Sequence, residues 1–204
     1  MARPRAHDWQ DKRDAILRAA TVVFARDGYH GSGINDVAAE AAVSKANLYH
    51  YYANKDQLLH AVIHDHLTSI VVALDAAVDP ALDPEVQLHA LISALLNNYQ
   101  HADAQHRIQV HDMGALPDDL QTSLKAIERD IVAVFATALC RAVPALDAER
   151  NLVTPVTMSL FGMLNWHYMW FKPRGRMSRE AYSKLALDLI LGGTERAMAE
   201  HRKT

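Results

Sequence analysis

Residues 31–59 read GSGINDVAAEAAVSKANLYHYYANKDQLL. Ile34, Val37, Ala38 and Ala41 recur at helical spacing and give a short helix one inner face. Val43 is the apolar residue of the turn that follows and plugs the gap before the next helix. Ser44 is the natural N-cap of that second helix. Leu48 and Tyr52, at i and i+4, turn it inward. Lys45, Ala46, Asn47, Tyr49 and His50 are left facing outward. Two short helices joined by a tight turn are the unit that offers a recognition helix to the major groove.

The outward residues suit that task. Lys45 has the chemistry to donate to guanine O6 and N7, and Asn47 to bridge adenine N6 and N7. Ala46 is small enough for close approach. Tyr49, Tyr51 and Lys55 suit phosphate oxygens, which position a protein without reading sequence. Lys55 stands at the positive end of the following helix and adds to the anion attraction there.

Working outward, almost every segment has helical period. Ile16, Ala19, Ala20, Val23 and Phe24 form one apolar stripe, with Gly28 just past it as a left-handed stop. Asn54 caps a long helix through Leu58, Leu59, Val62, Ile63, Leu67, Ile70, Val71 and Leu74. Asp83, Pro84 and Glu85 are a helix start, and that helix is expected to run to residues 99–102. A short helix is expected over 104–113, then a long one opened by Leu116, Pro117 and Asp118. Residues 148–171 and 178–201 read as two last helices, with Ser178 capping the second and Pro155 able to kink the first. No strand pattern or repeat is evident, so the expected class is all-α.

Composition narrows the function. Half of the 204 residues are hydrophobic, enough for a real core. The formal net charge is -3, so the chain as a whole is not a basic nucleic-acid binder. Residues 1–60 nevertheless carry eight Lys and Arg against seven Asp and Glu, a sign that fits an anionic partner there. Cys140 is the single cysteine, on an apolar stripe, and reads as a small core residue. No apolar run follows residues 1–6, and no segment reads as a bilayer span. A cytoplasmic protein with no membrane partner is expected. No Gly-x-Ser-x-Gly, His-Glu-x-x-His, Walker or Rossmann pattern is present, so no enzyme is expected. His60, His64 and His66 lack a carboxylate or cysteine at ligand spacing, and no metal site or cofactor is expected.

Residues 9–68 closely resemble the DNA-binding domain of the tetracycline-repressor family, above all in VSKANLYHYYANKDQLL. The resemblance implies an N-terminal three-helix domain over 9–68, with its helix-turn-helix at about 34–53, and a ligand-binding and dimerisation domain over 69–204. It implies a homodimer, joined through the last two helices, that binds a palindromic double-stranded operator and releases it when a small effector binds. It carries over Lys45, Asn47, Tyr49 and His50 on the recognition helix, with Lys55 and the Ser32 region on phosphates, and Ser44, Ala46 and Tyr51 complete the expected DNA-contacting set. Two positions depart from the family pattern: Gly33 where a capping Ser or Thr is common, and Ala42 in place of a turn glycine. Arg3 and Arg5 precede the domain as a short arm or tail.

Residues 162–178, GMLNWHYMWFKPRGRMS, gather aromatics and Met around Asn165 and His167. That composition suits either a ligand cavity or a well-filled core. Together with HADAQHRIQV at 101–110, the segment resembles the acyl-CoA-responsive regulators of phenylacetate and fatty-acid degradation. That likeness implies an acyl-CoA effector, phenylacetyl-CoA first. The expected ligand set is Tyr99, His106, Arg107, Val110, Met113, Phe135, Asn165, Trp166, Met169, Trp170 and Arg174. Lys172 and Arg176 are further basic residues for the CoA phosphates. The alternatives are a repressor of the same type answering another hydrophobic molecule, in efflux or lipid regulation, and more distantly a helical enzyme or metal-binding protein.

Overall fold

A computed structural model describes residues 3–100, 102–172 and 175–201. Among the described residues every regular element is helical, as the all-α expectation requires. The chain divides into two compact units, Met1–Thr68 with Ala102–Ile127, and Ser69–His101 with Glu128–Thr204.

The first unit opens with α1 (Arg3–Asp27). Arg3 and Arg5 thus lie within a helix rather than in an extended arm. Ile16, Leu17, Ala19, Ala20, Val23 and Phe24 form its buried face. Gly28 stops it at φ 73, its N–H reaching the Phe24 carbonyl at 3.0 Å. Then come α2 (Ile34–Glu40) and α3 (Lys45–Tyr49). The turn between them holds Ala42 at φ 53, a left-handed backbone that usually favours glycine. The helix α4 (Lys55–Ala77) follows, with Asn54 Oδ1 accepting the Gln57 N–H at 2.8 Å.

By length and hydropathy α4 passes for a membrane span, which the sequence did not lead us to expect. Its Leu58, Leu59, Val62, Ile63, Leu67, Ile70 and Leu74 are nevertheless buried against protein, so it is a core helix. Each such side chain contributes roughly 1.5–3 kcal/mol on burial.

Residues 102–127, which the sequence grouped with 69–204, lie in the first unit. The reason is α6 (Asp103–Asp112), which packs along α1 and buries His106 and Ile108. A 3-10 turn at Met113–Ala115 leads into α7 (Asp118–Ala142), whose first half belongs to this unit.

In the second unit, α5 (Pro84–Tyr99) starts where the Asp-Pro-Glu signal puts it, Asp83 Oδ1 accepting the Glu85 N–H at 3.0 Å. The rest of α7 is followed by α8 (Pro144–Ala148) and α9 (Arg150–Asn165). Pro155 sits inside α9 without ending it. The helix expected over 148–171 breaks instead at Trp166, and a single turn, α10 (His167–Trp170), follows. Last comes α11 (Arg179–His201), with Ser178 Oγ accepting the Ala181 N–H at 3.0 Å. It packs on α5 and α9 around Leu88, Leu95, Leu160, Leu164, Ala186 and Ile190.

Candidate DNA-binding surface and effector site

The recognition hairpin is fixed from below. Leu48 is wholly buried, and Tyr52 nearly so. Ser44 Oγ accepts the Asn47 N–H at 3.1 Å, a cap that contributes about 1 kcal/mol. The Val43 N–H donates to the Ala38 carbonyl at 3.0 Å and closes the turn. Gly33, where the family commonly has a Ser or Thr, gives α2 no side-chain cap, and Asp36 instead accepts the Gly33 N–H at 2.7 Å.

With the helix so anchored, Ser44, Lys45, Ala46, Tyr49 and His50 are exposed and Asn47 is half-buried. The Lys45 ammonium lies 5.9 Å from the Tyr49 ring centroid. Tyr51 is half-buried because its ring stacks on Trp9 of α1, centroids 5.4 Å apart. Trp9 was not among the expected site residues, although it stands seven residues before Ile16 on the same helical face.

Two expected phosphate contacts are placed otherwise. Ser32 is buried and its hydroxyl donates to the Tyr29 carbonyl at 2.9 Å. Lys55 donates to the Tyr29 carbonyl at 2.8 Å and the Ser32 carbonyl at 3.0 Å, its ammonium 4.2 Å from the Tyr29 ring centroid. Its donors are turned toward protein, because the loop ahead of α2 presents two carbonyls there. The Tyr29 hydroxyl donates to Asp56. Burial, and then that carboxylate, push the Tyr29 phenol well above its ordinary pKa.

The expected effector set is divided between the two units. In the first unit His106 is buried, its ring edge-on to His66 at 5.8 Å. Burial, with His106 alongside, lowers the His66 pKa to about 3. Arg107 and Val110 are exposed and Met113 is half-buried. In the second unit Phe135 is fully buried, edge-on to Phe161. The Tyr99 hydroxyl donates to Asn165 Oδ1 at 2.8 Å.

Trp166, Met169 and Trp170 are 55%, 58% and 48% exposed, so they do not line the expected aromatic cavity. The break after Asn165 turns them outward and carries His167 in. His167 stacks between Phe171 and Tyr182, with centroids at 4.1 and 5.0 Å. Burial, then Arg179, lower its pKa to about 4. Lys172 and Arg176 are exposed, and Arg174 lies outside the described residues.

Open space in the second unit lies elsewhere. A groove of about 610 Å³ is lined by Thr137, Cys140, Arg141, Arg150 and Thr154 among others. A more apolar cleft of about 380 Å³, lined by Val78, Leu91, Val134 and Ala138, shares Thr137 and Arg141 with it. Arg141 and Arg150 carry no sequence signal as a pair, because a helix end and Pro144 separate them. Burial raises the Cys140 thiol pKa, so it is no reactive thiolate.

Two family descriptions match the chain. "Bacterial regulatory proteins, tetR family" covers residues 16–62, and "Tetracyclin repressor-like, C-terminal domain" covers 81–194. A TetR-family transcriptional regulator from Bordetella parapertussis 12822 is 31% identical, with TM-score 0.81, over 88% of this chain and 93% of that one. The transcriptional repressor KstR2 of Mycolicibacterium smegmatis is 24% identical over 93% of each chain. AibR, solved with isovaleryl coenzyme A and operator DNA, shares the fold at 23% identity and TM-score 0.71, over 87% of this chain and 97% of that one.

Proposed function

Because the chain belongs to the tetracycline-repressor family of DNA-binding transcription regulators, we propose that it is a cytoplasmic homodimeric repressor that leaves its operator when an acyl-CoA binds. It is a regulator rather than an enzyme, as its family is. The observation that carries the reading is the outward face of a five-residue helix pinned by Leu48 and capped by Ser44, where Lys45, Ala46 and Tyr49 are exposed and Asn47 half-buried, with the exposed His50 just past its end.

On this reading residues 9–68 are the DNA-binding domain, supported by the packing of 102–112 on α1, and 69–204 bind effector and partner. Asn47 and Lys45 read base edges, while Ser44, Tyr49, His50 and Tyr51 set the register on phosphates. Trp9 holds the Tyr51 ring for that role.

Dimerisation uses α9 and α11. Met158, Leu185 and Leu189 are large apolar residues exposed on those helices. Gly162, Gly192 and Gly193 stand inside them where a Cβ would meet nothing in the same subunit. A helical glycine costs about 1 kcal/mol relative to alanine, and the close approach of a second copy gives it a reason. Two recognition helices then serve half-sites ~34–36 Å apart.

For the effector we favour a CoA thioester, phenylacetyl-CoA first. The isovaleryl-CoA complex of AibR, a protein of the same fold, supports the class. In the second unit Arg141 and Arg150 supply guanidiniums for phosphates, and the adjoining cleft with Val78, Leu91 and Val134 is apolar. Effector and DNA are then coupled through two global states, each ligand favouring its own.

The test uses a duplex that the protein itself selects from a random-sequence pool. Saturating phenylacetyl-CoA is expected to lower affinity for it at least about tenfold, a typical coupling. Unchanged affinity overturns the effector assignment. Failure to enrich any sequence overturns operator recognition. Asn47→Ala is expected to weaken the selected duplex more than a scrambled one, and an equal loss on both removes Asn47 from base reading.

A further inference from the structure

The loop between α1 and α2 is gripped from several sides. Gly28 turns the chain at φ 73. A Cβ at Gly31 would stand 2.5 Å from the Asp27 carbonyl oxygen, so the next tight step also needs glycine. The Tyr29 carbonyl accepts from Ser32 Oγ and from Lys55 Nζ, and Lys55 donates again to the Ser32 carbonyl. Asp56 takes the Tyr29 hydroxyl. The Tyr29 ring, 4% exposed, lies edge-on to Phe24 at 5.7 Å. From α6, Asp112 faces the Tyr29 amide.

Lys55 stands in a place that opposes its charge. It is the first residue of α4, at the positive end of a 23-residue helix, where a cation is disfavoured. Two carbonyl oxygens and a ring face offset that. The residue whose carbonyl it holds, Ser32, directly precedes Gly33, whose N–H is fixed by Asp36 at the start of α2. Through the Val43–Ala38 bond, α2 carries α3. Where α2 begins therefore decides where α3 points.

We propose that Lys55, with Tyr29 and Asp56, is a positioning brace for the recognition helix, acting on base reading through the 29–32 loop rather than by contacting the phosphate backbone. The two roles leave different signatures. A lysine that neutralises a phosphate strengthens binding to any sequence and adds ~0.9 to the slope of log affinity against log salt. A positioning contact raises the selected sequence above the scrambled one and leaves the slope alone.

The experiment measures full-length wild type, Lys55→Met and Tyr29→Phe on the self-selected duplex and on a scrambled duplex, across a salt series, with melting temperatures alongside. Lys55→Met is expected to cut the ratio of selected to scrambled affinity about tenfold, with parallel salt lines. Tyr29→Phe keeps the ring and loses the bond to Asp56, and is expected to cut the ratio about threefold, again in parallel. A Lys55→Met line shallower by about one, with equal losses on both duplexes, makes Lys55 a phosphate contact and overturns the brace. So does an unchanged ratio in both variants. If Lys55→Met does not fold, Tyr29→Phe decides alone: an unchanged ratio overturns the proposal.

Discussion

The turn of helix at α3 and the turn of helix at α10 are built from similar residues and end up differently. Each is a single short helix with an exposed aromatic ring, and a histidine stands at one end, His50 just past α3 and His167 at the start of α10. In α3 the buried anchor is Leu48, the cap is Ser44, and His50 stays outside. In α10 no side chain caps the start, the buried residue is His167, and Trp166, Met169 and Trp170 are outside. One helix shows polar groups on an apolar anchor, and the other shows apolar groups on a polar one. Aromatic content alone therefore does not say which way a segment faces. The identity of the residue that goes inward does.

Four changes test that contrast. Leu48→Ala removes the anchor of α3 and is expected to destabilise by about 2–5 kcal/mol, read as a lower urea midpoint. Acid is expected to act at the other anchor. His167 is held neutral, with its pKa lowered from 6.5 to about 4, so the unfolded chain binds more protons between those values. Stability should therefore be full above pH 6.5 and fall as pH drops toward 4, by about 1–3 kcal/mol from this residue. His66, lowered to about 3, adds to the same trend. His167→Gln should flatten the pH dependence of the urea midpoint, and an unaltered slope would contradict a neutral buried imidazole. Ser44→Ala should cost about 1 kcal/mol and weaken DNA binding without altering the salt slope by a whole contact. Met169→Ser, at a side chain 58% exposed, should leave the subunit's stability within about 0.5 kcal/mol, whereas a large loss would show that the ring cluster of α10 packs inward after all.

The same contrast explains what was legible in the sequence. The α2–α3 hairpin follows from Val37, Ala38, Leu48 and Ser44, whose spacing and capping are local. The starts of α5 and α11 were written in Asp83-Pro84 and Ser178 for the same reason. The break at Trp166 has no glycine or proline to announce it, so a helical period drawn across 148–171 sent the tryptophans inward together with His167, and only His167 is buried. Lys55 shows a second kind of blindness. Its partners lie 26 and 23 residues earlier, and no local spacing connects them. Arg141 and Arg150 meet at one groove only because α8 turns the chain between them.

Gly31 carries a consequence of another kind. With the Asp27 carbonyl oxygen 2.5 Å from any added Cβ, all the other amino acids are shut out at this position by one oxygen atom of the main chain. Its neighbour His30 is exposed and meets no such barrier. In a saturation library screened for operator binding, the two adjacent columns should look opposite: one blank, one filled. The sharpness of that edge would record how narrowly the loop's path is drawn.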